Sequence, residues 1–227
     1  MGKIISFANQ KGGVGKTTSA VNIAASLGLL GHKVLIVDLD PQGNATSGVG
    51  ISKKQLRKTT HEVMTTDMPA SEAIMQTEFE NLSVIPVNIS LAGAEFDLFD
   101  MEESEYILKK KLEPLRSEYN YIIIDCPPSL SMLTVNAMSA SDGLVIPMQC
   151  EFYALEGLSQ LMVTTGKIKN HFNPSLNVTG ILVTMYNGRL LLSMQVLSEL
   201  KKHYADKLFH QTISRNVKLT EAPGFGV

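Results

Sequence analysis

Residues 10–18 read Gln-Lys-Gly-Gly-Val-Gly-Lys-Thr-Thr and follow the short apolar run Lys3-Ile-Ile-Ser-Phe-Ala-Asn9. A strand feeding a glycine-rich loop that opens a helix leaves backbone N–H groups free to cradle phosphate oxygens. Gly12, Gly13, Val14 and Gly15 supply that loop, and Thr17 and Thr18 begin the helix. Lys16 would reach the β- and γ-phosphates, and the Thr17 hydroxyl would hold Mg²⁺. The common pattern G-x-x-x-x-G-K-[ST] is met at Gly15-Lys16-Thr17, but Gln10 stands where its first glycine belongs. A second lysine, Lys11, lies inside the loop. Two further stretches carry carboxylates suited to the same chemistry. Val37-Asp38-Leu39-Asp40-Pro41-Gln42-Gly43-Asn44 ends a second apolar run, where the two carboxylates, Asp38 and Asp40, could orient a water or bind a metal through water. On its own this stretch reads equally as a strand end closed by the turn formers Asp-Pro and Gly-Asn. Ile122-Ile123-Ile124-Asp125 ends a third run, and its carboxylate is placed to approach Mg²⁺ through a coordinated water. Pro127-Pro128 stops that strand.

These segments need a scaffold that brings strand ends together. The 227 residues are 44% hydrophobic, enough for one well-filled α/β domain. Short apolar runs alternate with longer amphipathic stretches. Strands are predicted over 3–8, 33–38, 82–86, 121–125, 143–147, 178–184 and 208–212. Helices are predicted over 17–30, 60–64, 70–75, 104–119, 131–139, 154–170 and 190–204. Runs as uniformly apolar as 122–124 belong to strands buried on both faces of a parallel sheet. The expected fold is therefore a single-domain, doubly wound α/β fold: a mostly parallel sheet with helices on both faces, spanning 1–227. Ligands of such sheets sit at the carboxyl ends of the strands, where Asp40 and Asp125 fall.

The formal net charge of −2 gives no global attraction to nucleic acid or anionic lipid. The two cysteines, Cys126 and Cys150, make no disulfide framework, which points to a reducing compartment. No leader-like segment precedes the first strand, and no apolar run is long enough to span a bilayer. A cytoplasmic protein is expected.

Together the three motifs resemble the ParA/Soj–MinD group of deviant Walker A ATPases, the P-loop NTPases with a second lysine in the loop. Lys11-Gly-Gly-Val-Gly-Lys-Thr17 matches the deviant loop, with Lys11 as the signature lysine. Asp38–Asn44 matches the first switch, and Asp125-Cys-Pro-Pro-Ser129 matches Walker B and the second switch. Gln149-Cys-Glu-Phe-Tyr-Ala-Leu-Glu-Gly157 and Arg215-Asn-Val-Lys-Leu-Thr-Glu-Ala-Pro223 resemble the chromosome-partitioning ParA/Soj branch. The resemblance implies an ATP-driven homodimer switch with ATP and Mg²⁺ as cofactors. Lys11 would reach the partner's phosphates, Lys16 its own, and Asp40 would position the attacking water. Thr17, Asp40 and Asp125 would organise Mg²⁺. The ATP dimer would bind double-stranded DNA nonspecifically on the nucleoid, and a ParB-type activator would stimulate hydrolysis and release. No membrane partner is expected.

The same resemblance places Arg189 and Lys218 on the DNA surface, where they would act by phosphate neutralisation. Lys201, Lys202 and His203 read as a solvated helix end favoured by the helix dipole. Asn187 and Asn216 are candidate adenine contacts, with Met185 packing beside them. Cys126 follows the Walker B aspartate, where the related nitrogenase iron protein could place a cluster ligand, but Cys150 supplies no matching second position. The chain departs from the family at Ser214, where relatives have proline, and at Gly226-Val227, where relatives continue for about another helix. The competing functions are a MinD-like membrane-cycling regulator of cell division and a P-loop ligase acting on a small metabolite.

Overall fold

The computed structural model describes residues 1–225; Gly226 and Val227 lie outside the described residues. The main strands form from the largely apolar runs: β1 (Lys3–Phe7), β2 (Val34–Asp38), β4 (Leu82–Ile85), β5 (Tyr121–Asp125), β6 (Gly143–Gln149) and β7 (Asn177–Thr184). With the short β3 (Met75–Gln76) they make one seven-stranded sheet in the order β3-β4-β2-β5-β1-β6-β7. All neighbours are parallel except β3, which pairs antiparallel with β4.

Alternate residues of one strand serve opposite cores. Ile122 and Ile124 join a cluster with the helices α3 (Thr60–Thr65), α4 (Ala94–Phe99), α5 (Ile107–Leu112), α6 (Met132–Ala140) and α7 (Ala154–His171). Ile123 faces the other way, towards Ala20 and Ala24 of α1 (Lys16–Leu29) and Ala45 of α2 (Asn44–Gly48). Both faces are thus covered, which is why the strands carry no polar alternation. Small residues on α1 allow close packing: a Cβ at Gly28 would come within 2.3 Å of the Glu80 carbonyl. Val196 and Leu200 of α8 (Leu191–His203) pack on the first cluster, and α9 (Val217–Phe225) lies against α2.

Three expected elements differ. The helix expected over 104–119 is broken: a 3₁₀ turn at Ser104–Tyr106, α5, then another 3₁₀ turn at Glu113–Ser117 with Pro114 in its first positions. Proline has no N–H to continue the i→i−4 ladder, so the register changes there. The helix expected over 70–75 is only a 3₁₀ turn, Ala70–Ala73, before the chain extends into β3. The strand expected over 208–212 does not form. That stretch follows β7 through isolated bonds, Ile181 N to Lys207 O, Phe209 N to Ile181 O and Ile213 N to Val183 O, with Tyr186 N to Ile213 O just beyond the strand. Outside the sheet's hydrogen-bonded ladder, its apolar residues find a half-exposed edge.

Candidate functional site

The carboxyl ends of β1, β2 and β5 converge, because these strands are neighbours in register: Phe7 pairs with Asp125, and Asp125 with Asp38. This brings the glycine-rich loop, the Asp40 segment and Asp125 to one place. The loop is pinned from outside by its own carbonyls. Gln149 Nε2 donates to Gly13 O at 2.6 Å, and Thr184 Oγ1 donates to Val14 O at 2.7 Å. At the loop entrance Asn9 donates from Nδ2 to Pro147 O at 2.8 Å and accepts from Lys11 N at 3.0 Å. With the carbonyls turned outward, the N–H groups of Gly12, Gly13, Val14 and Gly15 donate to no other atom among the described residues. Gly13 and Gly15 have φ of +71° and +82°, conformations that a Cβ disfavours. The result is a cleft of about 360 Å³ lined by the loop, Lys16, Thr17, Thr18, Asp40, Gln42, Pro128 and Met185.

The two lysines part company here. Lys16 is buried, and its Nζ donates to Lys11 O at 3.2 Å. Burial lowers its pKa, while the charges of Asp125 and Asp40 oppose that shift. Lys11 stands at the rim with its side chain 45% exposed, ion-paired with Glu151. An ion pair this exposed contributes at most about 1 kcal/mol.

The three carboxylates also have different duties. Asp38 is fully buried and satisfied: Oδ2 accepts from Thr46 N and Thr46 Oγ1, both at 2.7 Å, and Oδ1 from Asp40 N at 3.3 Å. It ties the following loop to the sheet. Asp40 lines the cleft, with Oδ1 accepting from Gln42 N at 3.0 Å, and Gly43 turns the chain away at φ +64°. Asp125 is fully buried with no hydrogen-bond partner for either oxygen. Burial, then the charge of Asp38, pushes its pKa well up; the Thr17 hydroxyl and Lys16 act in the opposite direction. An orphaned buried carboxylate beside Thr17 and a cradle of free N–H groups is the donor set that Mg²⁺ with a polyphosphate requires. The residues therefore fit the cofactors implied by the motifs.

Burial, offset by its hydrogen bonds and reinforced by Asp40, pushes the Asp38 pKa to about 6. A carboxyl with a raised folded-state pKa stabilises the fold when protonated, and that contribution is lost as pH rises from about 4 through about 6. Asp125→Asn removes a second buried carboxyl whose own pKa is raised by burial and then by the Asp38 charge, and with it a cost to the fold that grows as pH rises above about 4. Its thermal midpoint without nucleotide should exceed that of the unaltered protein, by about 2–4 °C for each kcal/mol. The gap should widen as pH rises through this window, and the variant should lose the Mg²⁺-dependent part of any nucleotide stabilisation. Thermal melts across pH, with and without Mg²⁺–nucleotide, check this; a gap that shrinks with pH would contradict the assignment.

The other candidates fall outside the phosphate cleft. A smaller cavity of about 110 Å³ lies on the other side of Gly15 and Thr18, lined by Thr184, Met185, Arg215, Asn216 and Leu219. Asn216 lines it; Asn187 does not, and its Oδ1 instead accepts from Arg189 N at 3.0 Å in the turn before α8. Arg189 is exposed in that turn and Lys218 is exposed on α9, with Lys218 N donating to Asn216 Oδ1. Cys126 is buried and its thiol pKa is pushed up by burial and by Asp125, which keeps it protonated. Cys150 is buried too, and no cluster of metal-ligating side chains occurs among the described residues. Sequence reasoning missed the roles of Glu151, of Gln149 and Thr184 behind the loop, and of Thr46 under Asp38. Gln149 and Glu151 lie in the quoted 149–157 segment, but their partners are more than a hundred residues away in the chain.

The fold and the site define a P-loop ATPase of the deviant Walker A class. Residues 2–178 match the family model described as "AAA domain". Sporulation initiation inhibitor protein Soj of Bacillus subtilis is 51% identical over 226 residues, covering all of this chain and 89% of that protein. Chromosome partitioning protein ParA of Myxococcus xanthus is 47% identical, covering all of this chain and 80% of that protein. Among solved structures, cobyrinic acid a,c-diamide synthase of Mycobacterium smegmatis with bound ADP and magnesium superposes with a TM-score of 0.90. It is 37% identical, with coverage of 100% of this chain and 93% of that one. The chain belongs to the ParA/Soj family of partitioning ATPases. No helix among the described residues is long and apolar enough to cross a membrane.

Proposed function

We propose that this chain hydrolyses ATP as a Mg²⁺-dependent homodimer that times its release from DNA during chromosome or plasmid partitioning. The observation that carries this reading is the division between the two loop lysines. Lys16 is buried against its own loop, whereas Lys11 stands at the rim on a weak ion pair, free to turn outward. A rim cation beside a triphosphate suits charge stabilisation across a face shared with a second copy, as an arginine finger does in trans. Thr17 and Asp125 hold Mg²⁺, Asp40 positions water, and the free loop N–H groups bind phosphate. When bound, Mg²⁺ neutralises charge on the phosphates. The cavity lined by Met185 and Asn216 takes the base, with Asn187 shaping the adjoining turn.

Light scattering after size exclusion, with Mg²⁺ and a non-hydrolysable ATP analogue, tests the reading. The unaltered protein should double in mass. Lys11→Ala should stay monomeric while still binding the analogue. A Lys11→Ala protein that dimerises equally well, or an unaltered protein that stays single, would overturn it.

DNA binding is assigned to Arg189 and Lys218, exposed cations without an ion-pair partner among the described residues. Each phosphate contact steepens the salt dependence of affinity, and a dimer presents each cation twice. Arg189→Glu should leave dimerisation intact, weaken DNA binding at least ~10-fold and flatten the salt slope. Mobility shifts at several salt concentrations read both, and unchanged affinity would remove Arg189 from the surface. A ParB-type activator and a nucleoid location in the cytoplasm complete this reading.

The 37% identity to a diamide synthase favours a second reading, ATP-dependent amide formation on a small acid. Rapid turnover that needs a small carboxylic acid and ignores DNA would select it. The 51% identity over the whole chain to Soj places the partitioning reading first.

A further inference from the structure

Asp40 opens a tight turn over residues 40–43. Gly43 N donates to Asp40 O at 2.8 Å, and Gln42 N donates to Asp40 Oδ1 at 3.0 Å. The turn is thus closed once through the main chain and once through the carboxylate. One further bond reaches it from outside: Lys53 Nζ donates to Gln42 O at 2.7 Å. Lys53 is the one side chain among the described residues that donates to the main chain of residues 40–43. An ammonium donating to a carbonyl makes a charge-assisted bond, about twice as strong as a neutral one. The stem of Lys53 also lies along the turn, since a Cβ at Gly43 would come within 2.5 Å of Lys53 Cδ. Gly43, at φ +64°, is buried although it belongs to a turn beside the cleft, while Lys53 itself is exposed.

We propose that Lys53 is a positioning residue for ATP hydrolysis, holding the Gln42–Gly43 peptide so that the Asp40 carboxylate keeps one orientation at the cleft. The inference rests on the reading of Asp40 as the group that positions the attacking water. The connection runs through a single peptide unit. The Gln42 carbonyl takes the Lys53 ammonium, and the Gly43 N–H of the same unit donates to Asp40 O. Polarising the carbonyl strengthens the bond made at the other end. Lys53 is itself brought to the turn by the return of the chain after α2. Ile51 N donates to Thr46 O at 3.1 Å, and Thr46 is bonded to the buried Asp38. The hold on Asp40 is therefore built from the same anchor that ties this segment to the sheet. Gln42 and Asp40 line the phosphate cleft and Lys53 does not, so its effect falls on the chemical step rather than on nucleotide binding. A displacement of about 1 Å in a reacting group can cost about 100-fold in rate. With both internal bonds of the turn still in place, a loss of ~10-fold is expected.

Lys53→Met keeps a stem over Gly43 and removes the donor, and Lys53→Arg keeps a cationic donor. In steady-state hydrolysis with Mg²⁺, Lys53→Met should lower kcat ~10-fold with KM within ~2-fold of the unaltered protein, and Lys53→Arg should recover most of the rate. Added to Asp40→Ala, Lys53→Met should cost nothing more, because the two act through one carboxylate. Exchange of the Gly43 amide, followed by NMR without nucleotide, should be at least ~5-fold faster in Lys53→Met. An unchanged kcat or an unchanged Gly43 exchange rate in Lys53→Met would overturn the proposal. So would a raised KM with kcat intact, which would mark Lys53 as a phosphate contact, or a further ~10-fold loss on top of Asp40→Ala. An unaltered protein that hydrolyses no ATP would sink the partitioning reading and this one together. Normal turnover in Lys53→Met beside an active unaltered protein would remove Lys53 alone.

Discussion

Lys16→Ala is expected to lower affinity for ATP by about 100-fold. Lys16 is the one loop lysine held inside the cleft wall, buried and already partly desolvated by the protein. A phosphate arriving there meets a cation that has little water left to shed. Hydrogen bonds to charged groups contribute about 1.5–3 kcal/mol each, and about 2.7 kcal/mol corresponds to 100-fold in Kd. The variant loses that bond and also leaves Asp125 without its nearest cation, which adds repulsion against phosphate. Lys16→Arg should restore only part of the affinity. The guanidinium keeps the charge, but it is bulkier than the ammonium that now reaches Lys11 O at 3.2 Å. Titration with a fluorescent ATP analogue measures all three proteins. An alanine variant that binds within a few-fold of the unaltered protein would show that the loop N–H groups suffice and that Lys16 serves another purpose.

Asp40→Ala is expected to reduce turnover by about 100- to 1,000-fold while leaving nucleotide affinity within a few-fold. A positioned general base or water-orienting carboxylate contributes about 10²–10⁴ in rate. Asp40 is the carboxylate of its segment that lines the cleft, and its one side-chain bond to the loop is to Gln42 N. Its loss should spare the fold, because the neighbouring Asp38 carries the structural bonds to Thr46. The proposed dimer should then persist in ATP and Mg²⁺, visible as a mass that no longer decays with time. Asp38→Ala provides the contrast: it removes three bonds from a buried site and should lower the thermal midpoint before any catalytic effect can be read. If Asp40→Ala hydrolyses ATP at the normal rate, the attacking water is positioned by another group.

These variants were suggested by residues that the sequence displays openly. The loop glycines, both lysines, Asp40 and Asp125 stand at or just beyond the ends of apolar runs, and the runs themselves mark a two-faced parallel sheet. The strands around Ile36, Ile123 and Val145 were legible because every position in them is buried except the end residues Tyr121 and Gln149. The edges were less so. Residues 208–212 carry strand-forming side chains but meet β7 through isolated bonds, since edge position and not propensity limits their pairing. The helix over 104–119 was legible as apolar periodicity but not as two breaks, one of them at Pro114. Short elements such as α2, α4 and α9 span too few residues to show a period.

The sequence by itself determined the class of fold and marked the glycine-rich loop and the carboxylates proposed to face a metal, because each is written in contiguous residues whose geometry follows from local backbone rules. Tertiary structure alone decided which carboxylate is a tie and which lines the cleft, since Asp38 and Asp40 differ only in what Thr46 and the cleft place beside them. It alone paired Lys11 with Glu151 and set Gln149 and Thr184 behind the loop. Those facts depend on contacts between residues distant in the chain, and only the register of a parallel sheet brings them together.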